Sequence, residues 1–295
     1  MTTLSNTDTT ALQQIGSLKM CFYGAGSMAE AMVRGLLDRG LTEPEQVSMM
    51  NRQNVDRLAE LSTRYGVHTS AEDEAKAAML READIIFLAM KPKDAADAIS
   101  QVRELFHPGQ LIISIIAGMT IKTLETLIGK PMPIVRTMPN TSSTIGLGAT
   151  GVSFSSSVSA DQRALAELMF QSVGLTAVVE EPKLDVVTGL SGSGPAYVYY
   201  LMEAMIAAGA ELGLTQEAAR ELTIQTVLGA AHMVKATGEN PAELRRKVTS
   251  PNGTTQAAIE KLDANNFSGS VISAIARATE RAAEMGAEIE RKATS

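Results

Sequence analysis

The sequence predicts an α/β domain built on a doubly wound parallel sheet, followed by an all-α domain. Two observations carry that reading. Up to about Glu181, short apolar runs alternate with helical stretches, and near-continuous apolar strands of this kind suit a sheet covered on both faces. Beyond Glu181 the strand-like runs stop and only helical periodicity remains. With 295 residues, 45% of them hydrophobic and 20% charged, the chain can build two cores without cross-links.

Taken in order, Lys19–Tyr23 is a short strand, then a glycine turn and a helix over about Ser27–Arg39. Val47–Asn51 is a second strand, followed by a polar helix to Tyr65. Asp84–Met90 (DIIFLAM) is strongly apolar; the helical DAADAISQVREL leads from it to Leu111–Ala117 (LIISIIA). Ile134–Met138 and Thr176–Val179 add two later strands. Five helices follow, over Pro195–Leu212, Gln216–Thr237, Pro241–Val248, Thr254–Ala264 and Ser270–Arg291. Gly213 and Gly238 fall where left-handed C-terminal caps are wanted. Asn240-Pro241-Ala242-Glu243 offers a cap, a proline at the first helical position and a glutamate three residues after the cap. The expected domains are a polar extension over 1–16, a first domain over 17–181 and a helical domain over 182–295.

Composition narrows the function. One cysteine, Cys21, excludes an internal disulfide framework and argues for a reducing compartment; in the apolar KMCFYG run it reads as a buried hydrophobe. The histidines, His68, His107 and His232, stand far apart, so no metal site is expected. A net charge of −7 speaks against nucleic-acid or anionic-membrane partners. No apolar run is long enough to span a bilayer, and the N-terminus lacks the basic and apolar regions of a signal peptide. The expected location is the cytoplasm.

Gly24-Ala25-Gly26-Ser27-Met28-Ala29 follows the first strand and opens a helix, which is the context the G-x-G-x-x-G/A dinucleotide fingerprint requires. Gly24 permits the turn, Gly26 admits a pyrophosphate close to the backbone, and Ala29 lets helix and strand pack closely. The first domain is therefore expected to be Rossmann-like. At the end of the second strand stand Asn51 and Arg52, with no acid to bond a ribose 2′-hydroxyl; Arg52 can pair with a 2′-phosphate, which favours NADPH, with NADH possible. Ala89-Met90-Lys91-Pro92 and Ile115-Ile116-Ala117-Gly118 follow apolar strands at the ends where such sheets bind ligands.

In the helical half, Ser250-Pro251-Asn252-Gly253-Thr254-Thr255 joins two helices. Free N–H groups and flanking hydroxyls there make a compact receptor for a carboxylate, or equally a capped helix start. Leu190-Ser191-Gly192-Ser193-Gly194-Pro195 is a similar glycine- and hydroxyl-rich helix start.

LSGSGPAY, then PAELRRKVTSPNGTTQAAIEKLD over Pro241–Asp263, resemble pyrroline-5-carboxylate reductases. The glycine fingerprint, AMKP, SIIAG and RTMPNT (Arg136–Thr141) occur in that family's order, and the resemblance spans about residues 17–285. It implies a Rossmann domain followed by a helical dimerisation domain, and hydride transfer from NADPH or NADH to 1-pyrroline-5-carboxylate, giving L-proline. It also implies homodimers that associate further, commonly five to a ring. Carried over, the cofactor contacts are Tyr23, Gly24, Ala25, Gly26, Ser27, Met28, Asn51, Arg52, Ala89, Met90, Lys91, Pro92, Ile115, Ile116 and Ala117, with Lys247 reaching in from the helical domain. Ser250, Gly253, Thr254 and Thr255 become the carboxylate and imine contacts, Thr255 the catalytic one, and Glu181 stands near the substrate.

Two positions depart from the family: Asn252-Gly253 replaces a frequent glycine pair, and Ile116 is bulkier than the usual alanine. A protonated cyclic imine accepts hydride readily, so the absence of a histidine or lysine from Ser250–Thr255 suits the reaction. The β-hydroxyacid-type dehydrogenases share the layout but want a lysine with an asparagine four residues later on the catalytic helix, and Pro195–Leu212 has no such pair. Related imine reductases remain an alternative, as does a nucleotide-sensing protein without turnover, against which the intact Ser250–Thr255 receptor argues.

Overall fold

The computed structural model describes residues 15–294; most of the expected 1–16 extension lies outside the described residues. The residues described up to Ser193, together with those from Ala278 on, form one compact unit, and Gly194–Arg277 form a second.

The first unit is an eight-stranded sheet. Its strands are β1 (Met20–Tyr23), β2 (Val47–Met50), β3 (His68–Ser70), β4 (Ile85–Leu88), β5 (Leu111–Ser114), β6 (Ile134–Met138), β7 (Gly148–Phe154) and β8 (Gly174–Val178), in the order β3-β2-β1-β4-β5-β6-β7-β8. All neighbours run parallel except β6 and β7, so the sequence expectation of a purely parallel sheet is corrected at that pair. β7 turns back beside β6 through a short turn that leaves no room for a crossover helix.

Side chains alternate between two cores. Met20 and Phe22, Ile85 and Phe87, and Leu111 and Ile113 point into one; Cys21, Ile86, Leu88 and Ile112 point into the other. Both faces are dry, which is why these strands read as unbroken apolar runs. Phe22 and Phe87, paired in register, stack with ring centroids 4.2 Å apart. Cys21 is fully buried, and that burial pushes its thiol up to about 12, which keeps it unreactive.

Helices α1 (Ser27–Asp38), α2 (Val55–Tyr65) and α6 (Ala160–Gln171) cover the first face. The second is covered by α3 (Asp73–Glu82), α4 (Pro92–Val102) and α5 (Ile121–Ile128). A short α7 (Leu184–Val187) leads into a single π-turn over Thr188–Gly192.

Glu30 on α1 fastens that helix to α2: it accepts from Arg57, from Arg64 at 2.9 Å and from the Tyr65 hydroxyl at 2.8 Å. Burial works to raise the Glu30 carboxyl, but the bonds from Arg57 and Tyr65 outweigh it and hold the group below its usual range. A depressed carboxylate contributes stability above its unfolded pKa and loses it as pH falls through the folded value. Thermal melts taken from about pH 7 down to about pH 3 should therefore show wild type losing more stability than Glu30→Gln. Parallel losses would mean that the cluster is not linked to folding.

The second unit holds α8 (Gly194–Glu211), α9 (Gln216–Thr237), α10 (Pro241–Lys247), α11 (Thr254–Ala264) and the first part of α12 (Phe267–Thr294). Its punctuation follows the sequence: Gly238 caps α9 in the left-handed region, and Asn240 caps α10 by accepting from the Ala242 N–H at 2.9 Å. Ala278 and Ala282 stand on the last helix, α12. The structure places both in the sheet unit, where Ala282 is 5% exposed and Ile289, one turn pair further on, joins the second core. No helix of the described residues is long and apolar enough to cross a membrane.

Candidate active site

The register of the sheet gathers the candidate residues of the first unit. Tyr23 pairs with Met50 and with Leu88, and Leu88 pairs with Ser114. β2, β1, β4 and β5 therefore end in one row, and the loops that follow them leave from the same edge. β1 and β4 are the neighbours from which the strand order runs outward both ways, the crevice where such sheets take ligands.

Gly24 N–H donates to the Met50 carbonyl at 3.1 Å, and Ala89 N–H to the Tyr23 carbonyl at 2.9 Å. Gly24 has φ +121°, and a Cβ there would stand 2.4 Å from the Ala89 carbonyl oxygen, so only glycine fits. Gly26 is different. A Cβ on Gly26 would meet nothing within 4 Å, and its backbone faces open space beside the start of α1. No described side chain caps α1, so its first N–H groups remain available to an anion, and Ala29 is buried beneath them. These features fit a dinucleotide pyrophosphate.

Around the row, Ala25 is buried, Ser27 is exposed and Met28 is half-buried. Asn51 accepts from the Gln53 N–H at 3.4 Å, and Arg52 is exposed. Arg57 is committed to Glu30 and Glu60. Tyr23 donates its hydroxyl to the Ala98 carbonyl at 3.2 Å; burial raises the phenol while the charge of Arg52 works the other way. Ala89, Met90 and Pro92 are half-buried and Lys91 exposed, with Lys91 at the uncapped start of α4. Ile115 and Ala117 border the crevice edge half-buried, whereas the Ile116 side chain is 2% exposed and belongs to the second core.

Glu181 accepts from Arg136 at 3.1 Å and from the Ile121 N–H at 2.6 Å. Asn140 donates to the Ser191 carbonyl at 3.0 Å and accepts from the Ala149 N–H at 3.2 Å, joining the π-turn to β7. Sequence reasoning assigned Arg136 and Asn140 no role. The available signal was an arginine in the middle of IVRTM, a position that demands buried acids nearby.

In the helical unit, Ser250–Thr255 is a tight turn. Gly253 N–H donates to the Ser250 carbonyl at 3.0 Å, and Asn252 N–H to Gln256 Oε1 at 2.8 Å. Asn252 has φ 58°, a left-handed conformation that asparagine tolerates better than most residues, which explains how it can stand in a frequent glycine position. Gly253 caps α11 without a side-chain bond, so the N–H groups of its first turn are open, beside exposed Ser250 and Thr254 and half-buried Thr255. Lys247 pairs with Glu239.

A family model described as NADP oxidoreductase, coenzyme F420-dependent, matches residues 19–118, and one described as pyrroline-5-carboxylate reductase dimerisation matches residues 181–285. Pyrroline-5-carboxylate reductase 2 of Bacillus subtilis (strain 168) is 42% identical over 278 residues, covering 92% of this chain and 99% of its own length. The chain belongs to the pyrroline-5-carboxylate reductase family. Solved pyrroline-5-carboxylate reductases agree in fold. The Coxiella burnetii protein is 38% identical with a TM-score of 0.84, covering 92% of this chain and 99% of its own. The Plasmodium falciparum protein, solved with NADP bound, is 28% identical with a TM-score of 0.82 over the same shares. In this chain a Rossmann-like domain precedes a helical region that matches the dimerisation model.

Proposed function

We propose that this reductase uses NADPH to reduce 1-pyrroline-5-carboxylate to L-proline in the cytoplasm, as the last step of proline biosynthesis. Family membership over nearly the whole chain is the observation that carries this reading, and the glycine crevice and the Ser250–Thr255 turn support it. Bound at the crevice, the reduced nicotinamide supplies the hydride.

The chain's own residues bind and orient. The open N–H groups at Gly253–Thr255 and the Ser250 and Thr254 hydroxyls receive the substrate carboxylate, with the α11 dipole favouring the anion. Thr255 hydrogen-bonds the ring nitrogen. Protonation of that nitrogen, near neutral pH for a pyrroline, makes the imine carbon electrophilic, so the turn needs to supply position more than acid–base chemistry. Lys247 assists cofactor binding. The working particle is a homodimer whose dimers associate further, as five in a ring.

Thr255→Ala should cut turnover by roughly ten- to a hundredfold, the cost of a hydrogen bond to a charged group at about 1.5–3 kcal/mol. NADPH affinity should stay nearly unchanged. Wild-type turnover and Michaelis constant in that variant would remove Thr255 from the mechanism.

Arg52→Ala should weaken NADPH far more than NADH, because only NADPH carries the 2′-phosphate. Fluorescence titration of both cofactors reads the difference. Equal losses would assign Arg52 a structural role, and no loss would remove it from the site.

A further inference from the structure

Arg136 lies in β6 opposite Ser114 of β5 and is 4% exposed. A cation so buried must have its charge met by close partners. Glu181 and Asp185 meet it, at 3.1 and 3.3 Å. The Glu181 oxygen that faces Arg136 also accepts from the backbone N–H of Ile121, the first residue of α5. Thr120, the cap of α5, accepts from the Thr123 N–H and leaves the Ile121 N–H to an outside acceptor.

The loop Ile115–Thr120 runs directly into that helix start. Its upstream end is held by the bond from Ile115 N–H to the Leu88 carbonyl, at 3.1 Å. At its middle, Gly118 lies against the backbone of Gly286; a Cβ on Gly118 would stand 3.2 Å from the Gly286 nitrogen. Glu181 holds the downstream end. Arg136 fixes Glu181 in turn, and Asp185 holds the guanidinium from its other nitrogen.

We infer that Glu181 and Arg136 are positioning residues that set where the Ile115–Thr120 loop stands, and that Glu181 serves turnover through the Ile121 N–H and not by touching substrate. The inference rests on the proposed reading that this loop borders the nicotinamide. It also accounts for the placement of Glu181, whose carboxylate is already taken by two donors. Displacing a nicotinamide by about an ångström costs on the order of a hundredfold in rate, so one backbone tie at the loop's end has leverage.

Ile121→Pro tests the tie while leaving both carboxylates and Arg136 in place. Proline suits a first helical position, and Thr120, at φ −75° and ψ 158°, already has the extended backbone that precedes proline. We expect turnover to fall on the order of 10- to 100-fold, with NADP⁺ affinity nearly unchanged. The isotope effect with 4-deuterated NADPH should rise. Amide exchange across residues 115–124 of the cofactor-free protein should speed up.

Glu181→Ala cuts the same tie and serves if the proline variant does not fold; Glu181→Gln, which keeps an acceptor oxygen, should recover most of what alanine loses. Wild-type turnover and wild-type exchange in Ile121→Pro would overturn the inference. So would a Gln variant as poor as Ala with a raised Michaelis constant for pyrroline-5-carboxylate, since the carboxylate would then act on substrate. Wild type unable to reduce pyrroline-5-carboxylate would refute the proposed function instead, and the exchange comparison would still decide the tie.

Discussion

Gly24→Ala and Gly26→Ala should both weaken NADPH binding strongly, yet only the first should also destabilise the protein. At Gly24 the new methyl would stand 2.4 Å from the Ala89 carbonyl oxygen, at a φ of +121° that side-chain-bearing residues rarely adopt. Backbone strain of that kind costs about 1–3 kcal/mol, and forcing an atom into a packed turn a similar amount. The turn must move, and Ala89 must move with it. At Gly26 the backbone is extended, at φ −77° and ψ 178°, and the methyl meets no protein atom within 4 Å. It enters the space where the pyrophosphate would approach. Thermal melts beside NADPH titrations separate the two: Gly24→Ala loses melting temperature and affinity together, Gly26→Ala loses affinity alone, each by on the order of a hundredfold. Full NADPH affinity in Gly26→Ala would place the cofactor elsewhere.

The second large effect concerns assembly. Within the helical unit of one chain, α8, α10 and α11 have no buried residue, and α9 has only Ala219 and Thr223. Tyr200 is 78% exposed, Leu222 59%, Met233 53% and Ile272 66%. Each large apolar side chain that a partner covers contributes about 1.5–3 kcal/mol, and a soluble monomer rarely leaves so many uncovered. Close approach of helices is built in, since a Cβ on Gly209 of α8 would meet the Ala219 Cβ of α9 at 2.9 Å. Carrying the family's dimerisation domain, the chain should sediment as a multiple of its 31.2 kDa mass, with a melting temperature that rises with protein concentration. Leu222→Asp combined with Ile272→Asp should shift the particle to a destabilised smaller species. A stable 31.2 kDa monomer with a concentration-independent melt would contradict this.

The legible parts of the fold were those where local pattern and tertiary demand coincide. β1, β4 and β5 are apolar on both faces, and the fingerprint turn requires glycine for a steric reason visible in the motif itself. Two strands escaped notice. β3 is the polar HTS at the sheet edge, with no core face to mark it. β7 (GATGVSF) reads as a loop because its glycines answer to tertiary neighbours: a Cβ on Gly151 would meet Leu184 and Val187 side chains within 2.9 Å. Helix α6 carried a readable signal in Ser159 and Gln162, which form a capping box. The partition of α12 between the two units was beyond reach, because Gly286 matters only through its contact with Gly118. The roles of Arg136 and Glu181 likewise depend on residues 45 positions apart meeting at one oxygen.

The most direct test of the account is absorbance of NADPH with purified protein and 1-pyrroline-5-carboxylate, run beside NADP⁺ with β-hydroxyacids. NADPH oxidation matched one-for-one by proline, with no NADP⁺ reduction by the hydroxyacids, is the predicted result. NADPH left unconsumed by pyrroline-5-carboxylate, or NADP⁺ reduced by a β-hydroxyacid, would contradict it.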